Sequence, residues 1–262
     1  MLKRISVIAI LIFAFVFTTE QSSAKSNTDF IQIGEKLIYE VSFFGIKLGT
    51  VKLVVLGYDT VNGHKTLVTK AYMNSYNGIP FVDLNVVFKS WMSPYMSYSY
   101  KFEANTKEKK CWRYERIMFD YDHKKITLKG YRKKKQIKNV TIHTSRKWSD
   151  GLSLFYVARK LLNIKKNVSI PTIMDKDTVF TTINFSGKKE KVDIDAVSYP
   201  VRTVYFNGNA NWTGIYGMTG EFEGWFSDDK ARIPIKAKME VYVGSVDIEL
   251  IKWKRKGWKP PK

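Results

Sequence analysis

Cysteine is almost missing from this 262-residue chain: Cys111 stands alone. That excludes an intramolecular disulfide and any zinc site built from several thiolates. Histidine is scarce too, and His64, His123 and His143 lack the spacing of a helical metal motif such as H-E-x-x-H. No apolar run reaches the roughly 18 residues that a membrane-spanning helix needs, which excludes a polytopic membrane protein. P-loop, G-x-G-x-x-G and G-x-S-x-G patterns are absent. Ser186-Gly187-Lys188-Lys189 matches S-x-x-K by letter, but Gly187 marks a turn where that chemistry needs a helix. Cys111 has no indicated His or Asn partner and reads as a buried, inert thiol. These absences leave no assigned catalytic residue, metal or cofactor. Acid is also in short supply, with 24 Asp plus Glu against 44 Lys plus Arg and a formal charge of +20.

What is present is enough to fold. Apolar residues make up 44% and aromatics 15% of the chain, so a mostly disordered protein is excluded. The first 24 residues read as a cleavable secretory signal. Lys3 and Arg4 precede the apolar stretch Ile5–Phe17, and Ser22-Ser23-Ala24 supplies small residues for cleavage after Ala24. The expected address is the periplasm or cell envelope. For an exported protein, a strong basic balance points to anionic lipid headgroups, lipopolysaccharide or acidic glycans, and no nucleic-acid partner is expected.

From residue 25 to 251 the chain reads as a single β-rich domain. Leu37, Tyr39, Val41 and Phe43 alternate with Lys36, Glu40 and Ser42, and Ile235–Val243 and Val246–Leu250 alternate in the same way. This is the pattern of an antiparallel sheet with one buried and one wet face. Asn62-Gly63 between two strand-like runs is a strong hairpin signal. One segment breaks the pattern. Ser149 or Asp150 can cap a helix within about 150–163, and Leu152, Leu154, Phe155, Val157, Ala158, Leu161 and Leu162 make it apolar around most of its circumference. The predicted fold is mainly β: a strongly curved antiparallel sheet or open barrel, with that one helix covering it.

Charge is uneven. Lys124–Lys147 is dense in Lys and Arg and contains no acid, with Arg132, Lys133, Lys134 and Lys135 at its densest point. A second basic segment, 252–262, interleaves Trp253, Lys254, Arg255 and Trp258. Both suit contact with an anionic membrane surface. Both also suit a solvated hairpin tip and a solvated tail. Glu221, Glu223, Asp228 and Asp229 surround Trp225, with Arg232 following. Paired acids beside an aromatic platform are what a sugar site uses. Asp228-Asp229 equally suits a turn, where Asp bonds its own backbone.

Three stretches taken together resemble an exported bacterial family, DUF3108. They are Gly34-Glu35-Lys36-Leu37-Ile38-Tyr39 with Gly45 and Gly49, Asp150–Tyr156 with Arg159, and Gly220–Asp229 continuing to Arg232, Pro234, Val243–Val246 and Glu249-Leu250. The resemblance implies an exported, β-rich protein and supplies no catalytic residues. It singles out Gly224, Trp225, Asp228, Asp229, Arg232, Asp150, Leu152 and Arg159.

The function these features favour is non-enzymatic binding of a lipid, glycolipid or other anionic envelope component. An apolar concave face would hold the tail, and Arg159, Arg232 or the basic hairpin would meet the head. Two alternatives stand beside it: a polysaccharide-acting enzyme using the Glu221–Asp229 carboxylates, and a structural or assembly partner in an envelope complex.

Overall fold

The computed structural model describes residues 30–79, 83–108, 111–210, 220–241 and 243–262. The signal segment expected over 1–24 lies outside the described residues. The chain begins with four long strands, β1 (Lys36–Phe43), β2 (Ile46–Val61), β3 (His64–Ser75) and β4 (Asn85–Met92). Four more follow: β5 (Ser99–Glu108), β6 (Cys111–Asp120), β7 (Lys125–Arg132) and β8 (Lys135–His143). The short β9 (Ser149–Asp150) leads into α1 (Ser153–Leu161). Then come β10 (Asn167–Met174), β11 (Asp177–Asn184), β12 (Lys189–Val192) and β13 (Val201–Ala210). The chain finishes with β14 (Gly220–Ser227), β15 (Pro234–Glu240) and β16 (Ser245–Lys254).

Alternation sets the faces. In β1, Leu37 and Tyr39 are buried while Lys36 between them is exposed. Several neighbours are joined by two-residue turns with positive φ at both positions: Phe44-Gly45, Asn62-Gly63 and Lys133-Lys134. Such turns match the right-handed twist of the strands they join. The result is one sheet, in the order β8-β7-β6-β5-β4-β3-β2-β1-β16-β15-β14-β13-β11-β10-β9, with β12 added beside β13. Its path does not close. Instead, its β9 end curls back onto the middle of the sheet, where the Ser99 amide donates to the Trp148 carbonyl at 2.8 Å. Trp148 and Ile173 then pack with Ile117, Phe119, Ile126 and Leu128 from β6 and β7. Curvature on this scale is the expected outcome of accumulated strand twist.

The antiparallel, curved reading of the sequence therefore holds, with one departure: β9 pairs parallel to β10, because the chain passes through α1 between them. The helix is also shorter than the expected 150–163, since Ser149 and Asp150 belong to β9. It lies inside the curl. Leu152 and Tyr156 pack with Leu37, Tyr39, Leu53, Leu67 and Met92 on one side. Leu154, Val157, Ala158 and Leu162 pack with Ile170, Ile183, Phe185, Phe206 and Phe226 on the other. The helix thus packs on the concave face that was expected to hold an acyl chain. The boundary expected at 251/252 falls within β16.

Packing on the second side is tight. A Cβ built on Gly224 would come within 2.2 Å of the Phe206 ring. That ring is pinned by Phe226 at 4.8 Å and Phe185 at 5.6 Å, so it has no free direction to yield. Gly224→Ala is expected to cost about 3 kcal/mol of stability by overpacking, read as a lowered urea midpoint with an unchanged slope.

Candidate functional site

Three polar nodes surround α1. The first is at its N-terminal end. Asp150 is fully buried, and its Oδ2 accepts from Ser90 Oγ at 2.5 Å and Ser99 Oγ at 2.6 Å. Its Oδ1 accepts from the amides of Leu152 and Ser153 at 2.8 and 2.9 Å, two of the donors that a helix start leaves free. Burial raises the Asp150 pKa above the usual carboxylate value, against the pull of these donors.

The second node is ionic. Arg159 and Glu35 are each 2% exposed, with Nη1 of the arginine 2.7 Å from Glu35 Oε1. Nη2 of Arg159 donates to the carbonyls of Phe30 and Ala231, both at 2.9 Å. On the far side of the same carboxylate sits Arg255, which also donates to the Phe30 carbonyl at 3.0 Å. Burial works against the charge on Arg159, and Glu35 more than offsets it, so the guanidinium pKa is raised.

The third node closes the C-terminal end of the helix. Arg232 Nη1 donates to the Arg159 and Lys160 carbonyls at 3.1 and 2.8 Å, satisfying acceptors that the helix leaves open. Its backbone is fixed by Asp229, whose Oδ1 accepts from Ser227 Oγ and from the amides of Ala231 and Arg232. The other oxygen, Oδ2, accepts from Trp258 Nε1 at 2.7 Å. Trp258 in turn packs edge-on against Trp253.

The sequence-predicted residues therefore fall into two groups. Arg159, Arg232, Asp229, Arg255 and Trp258 form one continuous network, and Asp150 anchors the opposite end of the same helix. Asp228 and Trp225 stand apart. Asp228 pairs with Lys189 at 2.9 Å. Trp225 donates to Glu190 at 2.6 Å and packs on Tyr205, which itself donates to Glu223 at 2.8 Å. The turn reading of Asp229 is the one its hydrogen bonds match, with both oxygens committed to turn amides, a serine and a tryptophan. A cleft of about 830 Å³ opens on the wet face of β11, β13, β14 and β15, lined by Asn184, Asn207, Asn209, Glu221, Glu223 and Lys238 among others. Asp229 does not line it.

The tail, expected either to meet an anionic membrane surface or to be solvated, is exposed only in part. Trp253, Arg255 and Trp258 turn toward the body, while Lys252, Lys254, Lys256 and Lys259 stay exposed. The reason is that Glu35 and Asp229 offer partners that water cannot match inside the fold. At the other basic segment, Arg132 pairs with Glu108 at 3.3 Å, and Lys133 and Lys134 form the exposed turn of the β7–β8 hairpin. Because β8 is a sheet edge, lysine there also blocks further strand addition. Cys111, expected to be buried, is half-buried and faces Arg132 Nε at 3.4 Å. Among the described residues no cluster of three or more His, Cys, Asp or Glu could hold a metal ion.

Sequence reasoning missed Glu35 as a partner of Arg159, and Ser90 and Ser99 as partners of Asp150. Glu35 lies just outside the alternating run, so periodicity does not place it. Its place in the Gly34–Tyr39 motif was the available signal.

Two consequences are measurable. Glu35→Gln leaves two guanidinium groups without a counter-charge, and is expected to cost about 3–5 kcal/mol in chemical denaturation. Asp150 behaves differently. Its folded pKa lies above the unfolded value of about 3.9, so its contribution to stability is full below that pH and declines as pH rises through the folded pKa. The stability difference, wild type minus Asp150→Asn, is therefore expected to shrink as pH rises above about 4, read from paired urea titrations.

No helix among the described residues is long and apolar enough to cross a membrane. A β-barrel-like protein of the family DUF1849 from Brucella abortus shares the fold, at a TM-score of 0.54 and 9% identity over 85% of this chain and 97% of that one. A protein with a YmcC-like fold from Bacteroides fragilis NCTC 9343 covers 86% of this chain and 97% of its own at 11% identity, but its TM-score of 0.34 is too low to bear on the architecture. No curated protein matches the chain. The family described as "Protein of unknown function (DUF3108)" matches residues 38–251, the span that holds the helix, Asp150, Arg159 and the Gly220–Arg232 segment, and this chain belongs to that family.

Proposed function

We propose that the protein is an exported, non-enzymatic envelope protein that binds an anionic envelope component by surface contact. The observation that carries this reading is a division of labour among its charges. The acids and arginines near α1 are spent on one another and on backbone groups, whereas many lysines face water on a chain of formal charge +20. An acyl-chain carrier would need the concave space that the helix and its neighbours fill. Asp229 is spent on its own turn and on Trp258, so an acid/base enzyme, the alternative reading, would have to rely on Glu221 and Glu223 of the cleft. Lys133, Lys134 and Lys135 at the hairpin turn, and Lys254, Lys256 and Lys259 near the C-terminus, are among the groups available to an anion. The signal sequence supports the envelope as the place of action.

The test uses the chain without residues 1–24, mixed with phosphatidylglycerol-containing vesicles and, separately, with polygalacturonate. Phosphatidylcholine vesicles and dextran serve as uncharged controls. Binding to at least one anionic probe is expected at about 50 mM salt, with release by about 500 mM as screening shortens the reach of each charge. Retention of neither anionic probe at low salt, or equal retention of the neutral ones, overturns the reading.

A further inference from the structure

The pairing register places a line of cations across the wet face of the sheet. Lys254 of β16 lies opposite Lys36 of β1, Lys36 opposite Val54 of β2, and Val54 opposite Lys70 of β3. Lys70 lies opposite Lys89 of β4, which faces Glu103 of β5, then Arg116 of β6 and Lys129 of β7. Eight neighbouring strands thus contribute six cations to one row. At the usual strand separation the row is about 33 Å long.

Glu103, the single acid in this row, is already neutralised by Lys101 at 2.7 Å and hydrogen-bonded by Tyr114 at 2.9 Å. Among the described residues, none of the six cations makes an ion pair with a carboxylate, whereas Lys47, Lys101 and Lys138 elsewhere on the sheet do. The Arg116 Nε is buried with no hydrogen-bond partner. Lys36–Lys254 and Lys70–Lys89 are like charges placed directly opposite, an arrangement that destabilises a sheet. Glu103 faces Lys89 and Arg116 within the row, but Lys36–Lys254 has no acid in line with it, and a fold that carries two like-charged pairs in one row keeps them for something other than stability.

Aromatic rings are set between these cations. Lys52 and Lys70 lie over Tyr72 at 4.2 and 4.7 Å, and Lys89 and Lys101 lie over Trp91 at 4.3 and 4.2 Å. Tyr114 stacks on Tyr131 at 6.1 Å in the adjoining row. Between the cations the rings lie low: Trp91 is buried, and Tyr72, Tyr114 and Tyr131 are half-buried. A planar bilayer would meet only part of a row bent by a strongly curved sheet. A flexible linear chain can follow the bend, placing its charges on the lysines and its rings against the tyrosines.

We propose that this row is the binding track for an extended acidic polysaccharide of the cell envelope, its carboxylate or phosphate groups meeting Lys36, Lys70, Lys89, Arg116, Lys129 and Lys254. The inference rests on the surface-binding reading above and gives it a face and a ligand class. The track lies on the opposite face from α1, so ligand binding leaves the clasp around the helix untouched.

The test compares two variants of equal charge change: Lys36→Gln/Lys70→Gln/Lys89→Gln on the track, and Lys133→Gln/Lys134→Gln/Lys135→Gln at the hairpin turn. The probe is a polygalacturonate dodecamer, titrated at several salt concentrations, with phosphatidylglycerol vesicles and oligo-dT in parallel. The track variant is expected to weaken dodecamer binding by about 30-fold or more and to flatten its salt dependence, against about 3-fold or less for the turn variant. Thermal melting separates binding from folding. The track variant, relieved of its opposed lysines, is expected to melt at or above the wild-type temperature. Equal weakening by both variants overturns the track, as does tighter binding of vesicles or oligo-dT than of the dodecamer. Those outcomes leave surface binding of anions standing, whereas loss of all anionic binding in the wild type removes both readings.

Discussion

A single buried carboxylate holds three distant parts of the chain together. Glu35 sits at the start of β1, Arg159 near the end of α1, and Arg255 just beyond β16, separated by 124 and 220 positions from their common partner. Desolvating these charges is costly, and the geometry answers with several hydrogen bonds to carbonyls of Phe30 and Ala231. Everything around α1 follows from this fixed point. The helix is held at a set depth, so Leu152 and Tyr156 meet one half of the sheet while Leu154 and Val157 meet the other. The carbonyl end of the helix is then within reach of Arg232, and the turn that carries Arg232 is set by Asp229. Without the ionic clasp the sheet would still have its strands and its closure at Trp148 and Asp150, but the start of β1, the helix and the C-terminal segment would lose their common joint.

The sheet's two faces carry different tasks. The inner one is spent on packing, down to Gly224, where a methyl group does not fit. The wet one carries the lysines, the tyrosines and the polar cleft, and a smaller apolar cluster of its own around Val68 and Trp91. This partition explains why the residues that a motif search singles out are not the exposed ones. Asp150, Asp229, Arg159 and Arg232 are where curl and helix are joined, and a fold this dependent on a few polar joints constrains them as strictly as catalysis would.

Much of this was legible in the sequence, for physical reasons that differ from element to element. Alternation gave β1, β15 and β16 because one face is buried and one is wet. Asn62-Gly63 gave its turn because few dipeptides tolerate positive φ twice. The helix showed as a break in that period, and Arg159 was singled out by the motif that begins at Asp150. What stayed hidden is what depends on strand pairing between distant segments. The opposition of Lys36 with Lys254 or of Lys70 with Lys89 has no local signature. Nor does the fate of the C-terminal tryptophans, which looked like a solvated tail until Asp229 and Glu35 were found beside them. Local pattern reports which way a side chain faces, and only register reports what it faces.

The clasp also bears on timing. Here the lock on the curl needs Arg255 and Trp258, which are synthesised more than two hundred residues after Glu35. Early strands can pair as hairpins, but they cannot close around a helix whose ionic partners have not yet emerged. The longest-range contacts are thus the last to become possible. A late-made lock leaves the growing chain unclasped until its last residues have been added.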